Sequence, residues 1–281
     1  MRVLITGSSG QLGTTLQSKL TGAKLALVDL PEVDITDREQ IFSKTNAFRP
    51  DVIIHCAAFT DVDGCVSNPD LAYKVNSLGT QNVALACQRF DAAMVYISTN
   101  EVFAGDQPGG FEEWMQLNPQ NIYGRTKAAG EYHVHNILRR FYIVRTAWLY
   151  APGGRNFIHA ILRQAEQGNH LRVVSDEIGN PTNASDLAEA IVKLINTDQY
   201  GTYHLINQGA CSRFEFAQEV LRLGGHRQVE IEPIMSSDYS RSSTPPPYGA
   251  LKNICARAIG IELRPWREAL ADYIANHVAS K

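Results

Sequence analysis

Apolar residues along this chain fall into short unbroken runs, separated by longer stretches with helical spacing. The runs are Arg2–Thr6, Lys24–Val28, Val52–Cys56, Ala92–Ile97 and Phe141–Thr146. Continuous apolar runs of this length read as strands buried on both faces. Between them lie amphipathic stretches. Leu12–Leu20 is the first, and a second opens at Asp34-Ile-Thr-Asp37, with Thr36 or Asp37 as its cap. A long helix is expected from Asn68-Pro69 to about Arg89, with Leu71, Val75, Leu78, Val83 and Leu85 as its apolar positions. Pro119 is expected to open another helix, after a glycine-containing loop over 100–118. Strands alternating with helices predict an α/β protein with a Rossmann-type doubly wound parallel sheet.

From Ala147 the pattern changes. Trp148, Tyr150, Arg155, Asn156 and Phe157 crowd a segment rich in Gly and Pro. Helices are expected at 156–167, 183–196, 212–224 and 264–277, and strands at Leu171–Val174 and Gly201–Ile206. Residues 1–150 would form the dinucleotide-binding domain, with 183–208 returning to it. Residues 151–182 and 209–281 would supply a smaller C-terminal substrate-binding lobe.

Composition narrows the function. The 281 residues carry a formal net charge of −3, and Lys and Arg are scattered, so nothing suggests a nucleic-acid surface. Five widely spaced cysteines without a C-x-x-C pair argue against a zinc site or a disulfide framework and fit a reducing cytoplasm. No run approaches the roughly 18 apolar residues of a membrane span. Neither a signal-peptide pattern nor an internal repeat is visible, and only 236–247 reads as an extended loop.

The chemistry begins with Gly7-Ser-Ser-Gly10-Gln11-Leu12-Gly13, which follows the first strand and opens the first helix. That context is the one a dinucleotide fingerprint requires, here spaced G-x-x-G-x-x-G. Gly7 would allow the tight turn, Gly10 the approach of a pyrophosphate and Gly13 the packing of helix on strand. Asp29 ends the second strand, about 20 residues on, where a carboxylate accepts hydrogen bonds from a ribose. No arginine adjoins it, so the lean is to NADH over NADPH. Ala57, Ala58 and Thr60 follow the third strand, where small residues let a ligand lie against backbone. Asn76 would be exposed or would pin backbone nearby. Tyr123 and Lys127 sit one helical turn apart. The lysine would lower the tyrosine's pKa and hold a ribose, while Thr99, after Ser98, would hold a substrate carbonyl.

In order and spacing, several motifs together resemble one family: Gly7-x-x-Gly10-Gln-Leu-Gly13, Ala57-Ala-Phe-Thr60, Asn76, Ser98-Thr99, Val102-Phe103, Tyr123-x-x-x-Lys127, Arg145-Thr-Ala-Trp148, Gly179-Asn-Pro-Thr182 and Arg264-Pro-Trp-Arg-Glu-Ala-Leu270. The chain is similar to the extended short-chain dehydrogenase/reductases, and within them to the dTDP-4-dehydrorhamnose reductase family. That resemblance implies reduction of a nucleotide-linked 4-ketohexose by NADH or NADPH. It implies Tyr123 as proton donor, with Lys127 and Thr99 beside it. It also implies Asp34, Ile35, Asn76 and Ser98 as cofactor contacts, and Val102, Phe103, Trp148 and Asn156 as substrate contacts. The implied partners are a nucleotide-diphosphate sugar and, as an assembly, a homodimer. Some members use magnesium, but no ligand spacing here supports a metal.

There are departures. Asn100-Glu101 stands where the family usually has Asp-Tyr, and Val66 where it commonly has Glu. The segment Thr244–Leu251 departs from the family's late Arg-Pro pattern. These leave the sugar open. Other readings are a reductase for a different nucleotide sugar, an epimerase, a dehydratase (for which Glu101 is half of the usual Asp-Glu pair), or a non-catalytic NADP-binding regulatory subunit like that of methionine adenosyltransferase.

Overall fold

Strand β1 (Arg2–Thr6) pairs in parallel with both β2 (Lys24–Val28) and β3 (Val52–His55). Beyond β3 come β4 (Ala93–Thr99), β5 (Phe141–Thr146) and β6 (Gly201–His204), again all parallel. The spatial order is β2-β1-β3-β4-β5-β6, so the winding reverses between β1 and β3. Val3, Leu4, Ile5, Ile53, Ile54, Met94 and Val95 are wholly buried, which is why these strands show no alternation. The computed structural model describes residues 1–153, 156–168 and 170–278. Arg155 lies outside them.

The longer helices are α1 (Gln11–Lys19), α2 (Arg38–Phe48), α3 (Thr80–Phe90), α4 (Ile122–Ile137), α5 (Phe157–Glu166), α6 (Ala184–Leu194), α7 (Arg213–Leu223) and α8 (Trp266–His277), with shorter helical pieces between, among them Val62–Ser67 and Cys255–Ala258. One sheet face packs on α1 and α6, through Leu12, Leu16, Leu187 and Ile191. The other packs on α2, α3 and α4, through Ile41, Val83 and Val134. A separate cluster of Ile158, Phe216, Trp266 and Leu270 forms the core of a lobe made by α5, α7, α8 and the parallel pair Leu171–Val174 and Ile231–Ile234. Ala256, Ile261 and Leu263 leave the lobe and pack into the α1/α6 layer.

Three expectations are corrected. The long helix over 68–89 is three pieces: Pro69–Tyr73, a π-helical turn over Lys74–Gly79, and α3. The wider turn shifts the period between the pieces: Leu71, before it, and Leu78, within it, both expected on the core side, are 47% and 51% exposed. π-turns of this kind concentrate at functional sites. Helix α4 opens at Ile122, not Pro119, because the Asn121 side chain accepts from the Gly124 amide at 2.8 Å. Asn156, Asn183 and Ser212, expected as first helical residues, are caps instead. They accept amides of His159, Ser185 and Glu215 at 3.0, 2.8 and 3.0 Å.

Candidate active site

The reversal between β1 and β3 is where open α/β sheets bind ligands. Gly7 has φ of +66°, and a Cβ there would lie 2.5 Å from the Ala57 amide nitrogen. A Cβ on Gly13 would lie 2.2 Å from the Gly7 carbonyl oxygen. Only glycine lets β1, β3 and α1 come this close. The N-terminus of α1 has no side-chain cap, which leaves its first amides for a phosphate. Asp29 accepts from the amides of Ser9 at 2.7 Å and Leu30 at 2.9 Å, tying the glycine loop to β2. Asp37 caps α2.

These elements border a cavity of about 740 Å³. It is lined by Gly7, Gly10, Gln11, Leu12, Gly13, Asp29, Asp34 and Ile35 at one end. Ala57, Ala58, Thr60 and Ser98 line the middle, and Thr99, Tyr123, Lys127 and Trp148 the other end. A small-residue cradle beside uncapped helix amides fits a dinucleotide.

Tyr123 sits in the first turn of α4, with Lys127 one turn on. Helix and strand approach closely because position 124 is Gly: a Cβ there would lie 2.1 Å from the Glu101 carbonyl oxygen. Lys127 is 3% exposed, its ammonium 4.2 Å from the centroid of the Tyr96 ring. Burial draws it down to about 7, against the opposing pull of Glu131 and Cys56. Burial pushes the Tyr123 phenol up, the Glu101 carboxylate adds to this, and the Thr99 hydroxyl opposes it. This corrects one expectation. Burial outweighs any lowering of the phenol by Lys127, so Tyr123 stays protonated, the form an acid requires.

Beneath the trio lies a buried network. Arg145 donates to both oxygens of Glu131 at 2.9 and 2.7 Å, and the Ser98 hydroxyl donates to Glu131 at 2.5 Å. Ser98 therefore lines the cavity with its hydroxyl already engaged.

Four expected contacts are placed elsewhere. Val102 and Phe103 are fully buried, in a cluster with Phe111, and line neither the main cavity nor the lobe cavity. Their apolar side chains complete the core beneath the loop. Asn156 caps α5 and donates to the Ala151 carbonyl at 2.9 Å, which turns it away from both cavities. Asn76 accepts from the Phe59 amide at 2.8 Å and donates to the Phe59 carbonyl and the Thr126 hydroxyl at 3.0 Å. It pins backbone beside the site rather than lining it.

Trp148 has φ of +44°, a strained conformation for a bulky residue that costs about 1–3 kcal/mol. Its ring lies against Gly179, where a Cβ would come within 2.5 Å. Trp148, Leu149 and Arg213 line both the main cavity and a second one of about 480 Å³ in the lobe. The second is apolar through Tyr150, Phe157, Ile161 and Phe216, and carries Arg172, Arg241 and Glu177. Arg241 is ion-paired with Glu177.

Sequence reasoning missed Arg213, Arg241 and Glu131. Only Glu131 offered a signal: it lies one helical turn beyond Lys127 on the same face of α4. Among the described residues no group of three His, Cys, Asp or Glu side chains could hold a metal ion. None of the helices described is long and apolar enough to cross a membrane.

A protonated phenol and a buried lysine at one end of a dinucleotide cavity define a class: nicotinamide-dependent oxidoreductases built on the short-chain dehydrogenase/reductase plan. The family model described as RmlD substrate binding domain matches residues 1–279. The chain is 37% identical to dTDP-4-dehydrorhamnose reductase of Mycobacterium tuberculosis strain H37Rv, over 98% of this chain and 92% of that one. It is also 37% identical to the spore coat polysaccharide biosynthesis protein SpsK of Bacillus subtilis, over 97% of this chain and 96% of that one. The crystal structure of dTDP-4-dehydrorhamnose reductase from Bacillus anthracis, in complex with NADP, superposes with a TM-score of 0.95 at 39% identity, covering 98% of this chain and 99% of that one. A UDP-glucose 4-epimerase of Thermus thermophilus, with a TM-score of 0.82 and 22% identity, shares the fold. The chain belongs to the dTDP-4-dehydrorhamnose reductase family, enzymes that use a nicotinamide cofactor on a nucleotide sugar.

Proposed function

We propose that this protein reduces the C4 ketone of a nucleotide-diphosphate 6-deoxy-4-ketohexose, converting dTDP-4-dehydro-L-rhamnose to dTDP-L-rhamnose. The observation that carries this reading is the junction of the two cavities at Trp148, Leu149 and Arg213, which line the main cavity together with Tyr123. A ligand with its ketone at Tyr123 reaches the lobe with its nucleotide. Apolar walls suit a flat base, and Arg241 and Arg172 suit the diphosphate.

When bound, the reduced nicotinamide supplies a hydride to the carbonyl carbon. The residues do the rest. Thr99 holds the carbonyl oxygen, and Tyr123 donates its hydroxyl proton as that oxygen becomes an alkoxide. Lys127 would hold the nicotinamide ribose and stabilise the phenolate left behind. Gly10–Leu12 and the uncapped N-terminus of α1 would hold the pyrophosphate. Asp29 and Asp34 line the adenosine end, with no lysine or arginine beside them in the lining, which favours NADH over NADPH. We place the enzyme in the cytoplasm, with a homodimer as its assembly; sedimentation tests the latter.

Loss of reduced-nicotinamide absorbance with enzymatically prepared dTDP-6-deoxy-L-lyxo-4-hexulose is the test. Wild type should turn over, and Tyr123→Phe should lose roughly 10²–10⁴-fold in kcat. Cofactor binding without turnover of any keto-sugar would favour the regulatory-subunit reading. A product no heavier than its substrate would favour an epimerase.

A further inference from the structure

We infer that Glu101 and Arg213 act as one charged pair that grips the hexose across the cleft and selects the sugar. This rests on the nucleotide-sugar reading above and assigns the residues that read the sugar itself. Both line the main cavity together with Thr99, Tyr123 and Trp148, and Arg213 also lines the lobe cavity. A substrate that spans the two cavities therefore passes the walls that carry both.

Each is held in place. The Glu101 carboxylate accepts from the Asn121 side chain at 2.6 Å, and its amide donates to the Thr99 hydroxyl at 3.2 Å. Asn121 is the cap of the helix that carries Tyr123, so the carboxylate is fixed relative to the reacting phenol. Arg213 is the first residue of α7, whose start is locked by a capping box between Ser212 and Glu215. Its guanidinium lies 3.6 Å from the centroid of the Trp148 ring and 5.3 Å from that of Phe157. Among the described residues its side chain shows ring contacts but no hydrogen bond or ion pair, and it lines both cavities where they meet.

The two are chemically complementary. Glu101 accepts from a sugar hydroxyl, and Arg213 donates to a sugar oxygen. Asn100, the other departure from the family's usual pair, turns to the Gly249 carbonyl at 3.0 Å. Asn100 also lines the main cavity, so Glu101 is the one of the two that adds a carboxylate to its wall. Burial raises the Glu101 carboxyl, with the charge of Arg213 among those opposing it. Burial draws Arg213 down to about 10, with Glu177 and then Glu101 opposing it.

Calorimetric titration of the NADP⁺-bound enzyme with dTDP and with dTDP-glucose tests the pair. The readout is the affinity gained from the hexose, the ratio of the two dissociation constants. Glu101→Gln and Arg213→Gln should each cut that ratio by roughly tenfold, and the double variant should lose little more, as coupled residues do. The affinity for dTDP alone should hold within about twofold in all three. Losses that multiply in the double variant, or that appear equally with dTDP, would overturn the pair. Should either variant fail to fold, Glu101→Asp and Arg213→Lys serve the same comparison. If wild type binds neither ligand, the nucleotide-sugar reading fails with it. If wild type binds both and the variants keep the full ratio, only the pair fails.

Discussion

The two ends of the cleft are built on different plans. The dinucleotide end is mostly backbone: the loop over 7–13, the uncapped amides of α1, and the small residues after β3. Its shape follows from where side chains are missing. The sugar end is made of large and charged side chains drawn from remote parts of the chain: Glu101, Tyr123, Trp148, Arg213 and Arg241. A backbone cradle tolerates few substitutions because close-packed backbone cannot yield. A side-chain cradle can be rewritten position by position while the fold stays the same.

The contrast can be broken in four ways. Gly7→Ala should do most damage. It sets a side chain at positive φ and against the Ala57 backbone, costing about 3 kcal/mol or more. Denaturant unfolding should show that loss, and cofactor affinity should fall with it. A variant that stayed stable and bound cofactor normally would mean the loop is not the rigid part.

Lys127→Met should separate stability from function. An unfolded lysine titrates near 10.4, and the buried one near 7. Its folded pKa is lowered, so the cost of burying its charge is full below about pH 7 and fades as pH rises toward 10.4. The variant should therefore unfold later than wild type, by on the order of a few kcal/mol at pH 6. That gain should shrink as pH rises, while activity is lost. Equal stability at all pH values would show that the ammonium is not desolvated.

Trp148→Ala should act at the sugar end alone. KM for the keto-sugar should rise by about tenfold to a hundredfold, a loss of about 1.4–3 kcal/mol, with cofactor affinity unchanged. A matching loss of cofactor affinity would show that the two ends are not separable. Smallest is Asp29→Ala, which removes an acceptor from the ribose and from the Ser9 and Leu30 amides. NADH should weaken by about tenfold and NADPH by less. Equal losses in fluorescence titrations would mean the carboxylate serves only the loop.

How legible each part was follows the same division. The central strands β1, β3, β4 and β5 announced themselves because burial on both faces demands unbroken apolar runs. Gly7 and Gly13 were readable because backbone proximity has one residue solution. Tyr123 and Lys127 were readable because a helix fixes what lies one turn away. The failures have physical causes too. Leu78 was misplaced because it falls within a π-turn that changes the period, and Leu71 because the helix assigned to it ends at Tyr73. Val102 and Phe103 sit beside the catalytic strand in sequence, yet the short 3-10 turn after Thr99 sends them into the core. Arg213 had no signal, since an arginine at a helix start is ordinarily solvated.

The sequence alone thus determined the parallel sheet, the dinucleotide loop and the phenol–lysine pair. Each depends on residues close together in the chain, whose spacing the local backbone geometry converts directly into position. Only the tertiary structure decided that Glu101 and Arg213 face the same cavity, that Trp148 is strained at the junction of two cavities, and that burial keeps Tyr123 protonated. Those depend on how a lobe closes over a sheet, and on how much water that closure removes, which no local pattern encodes.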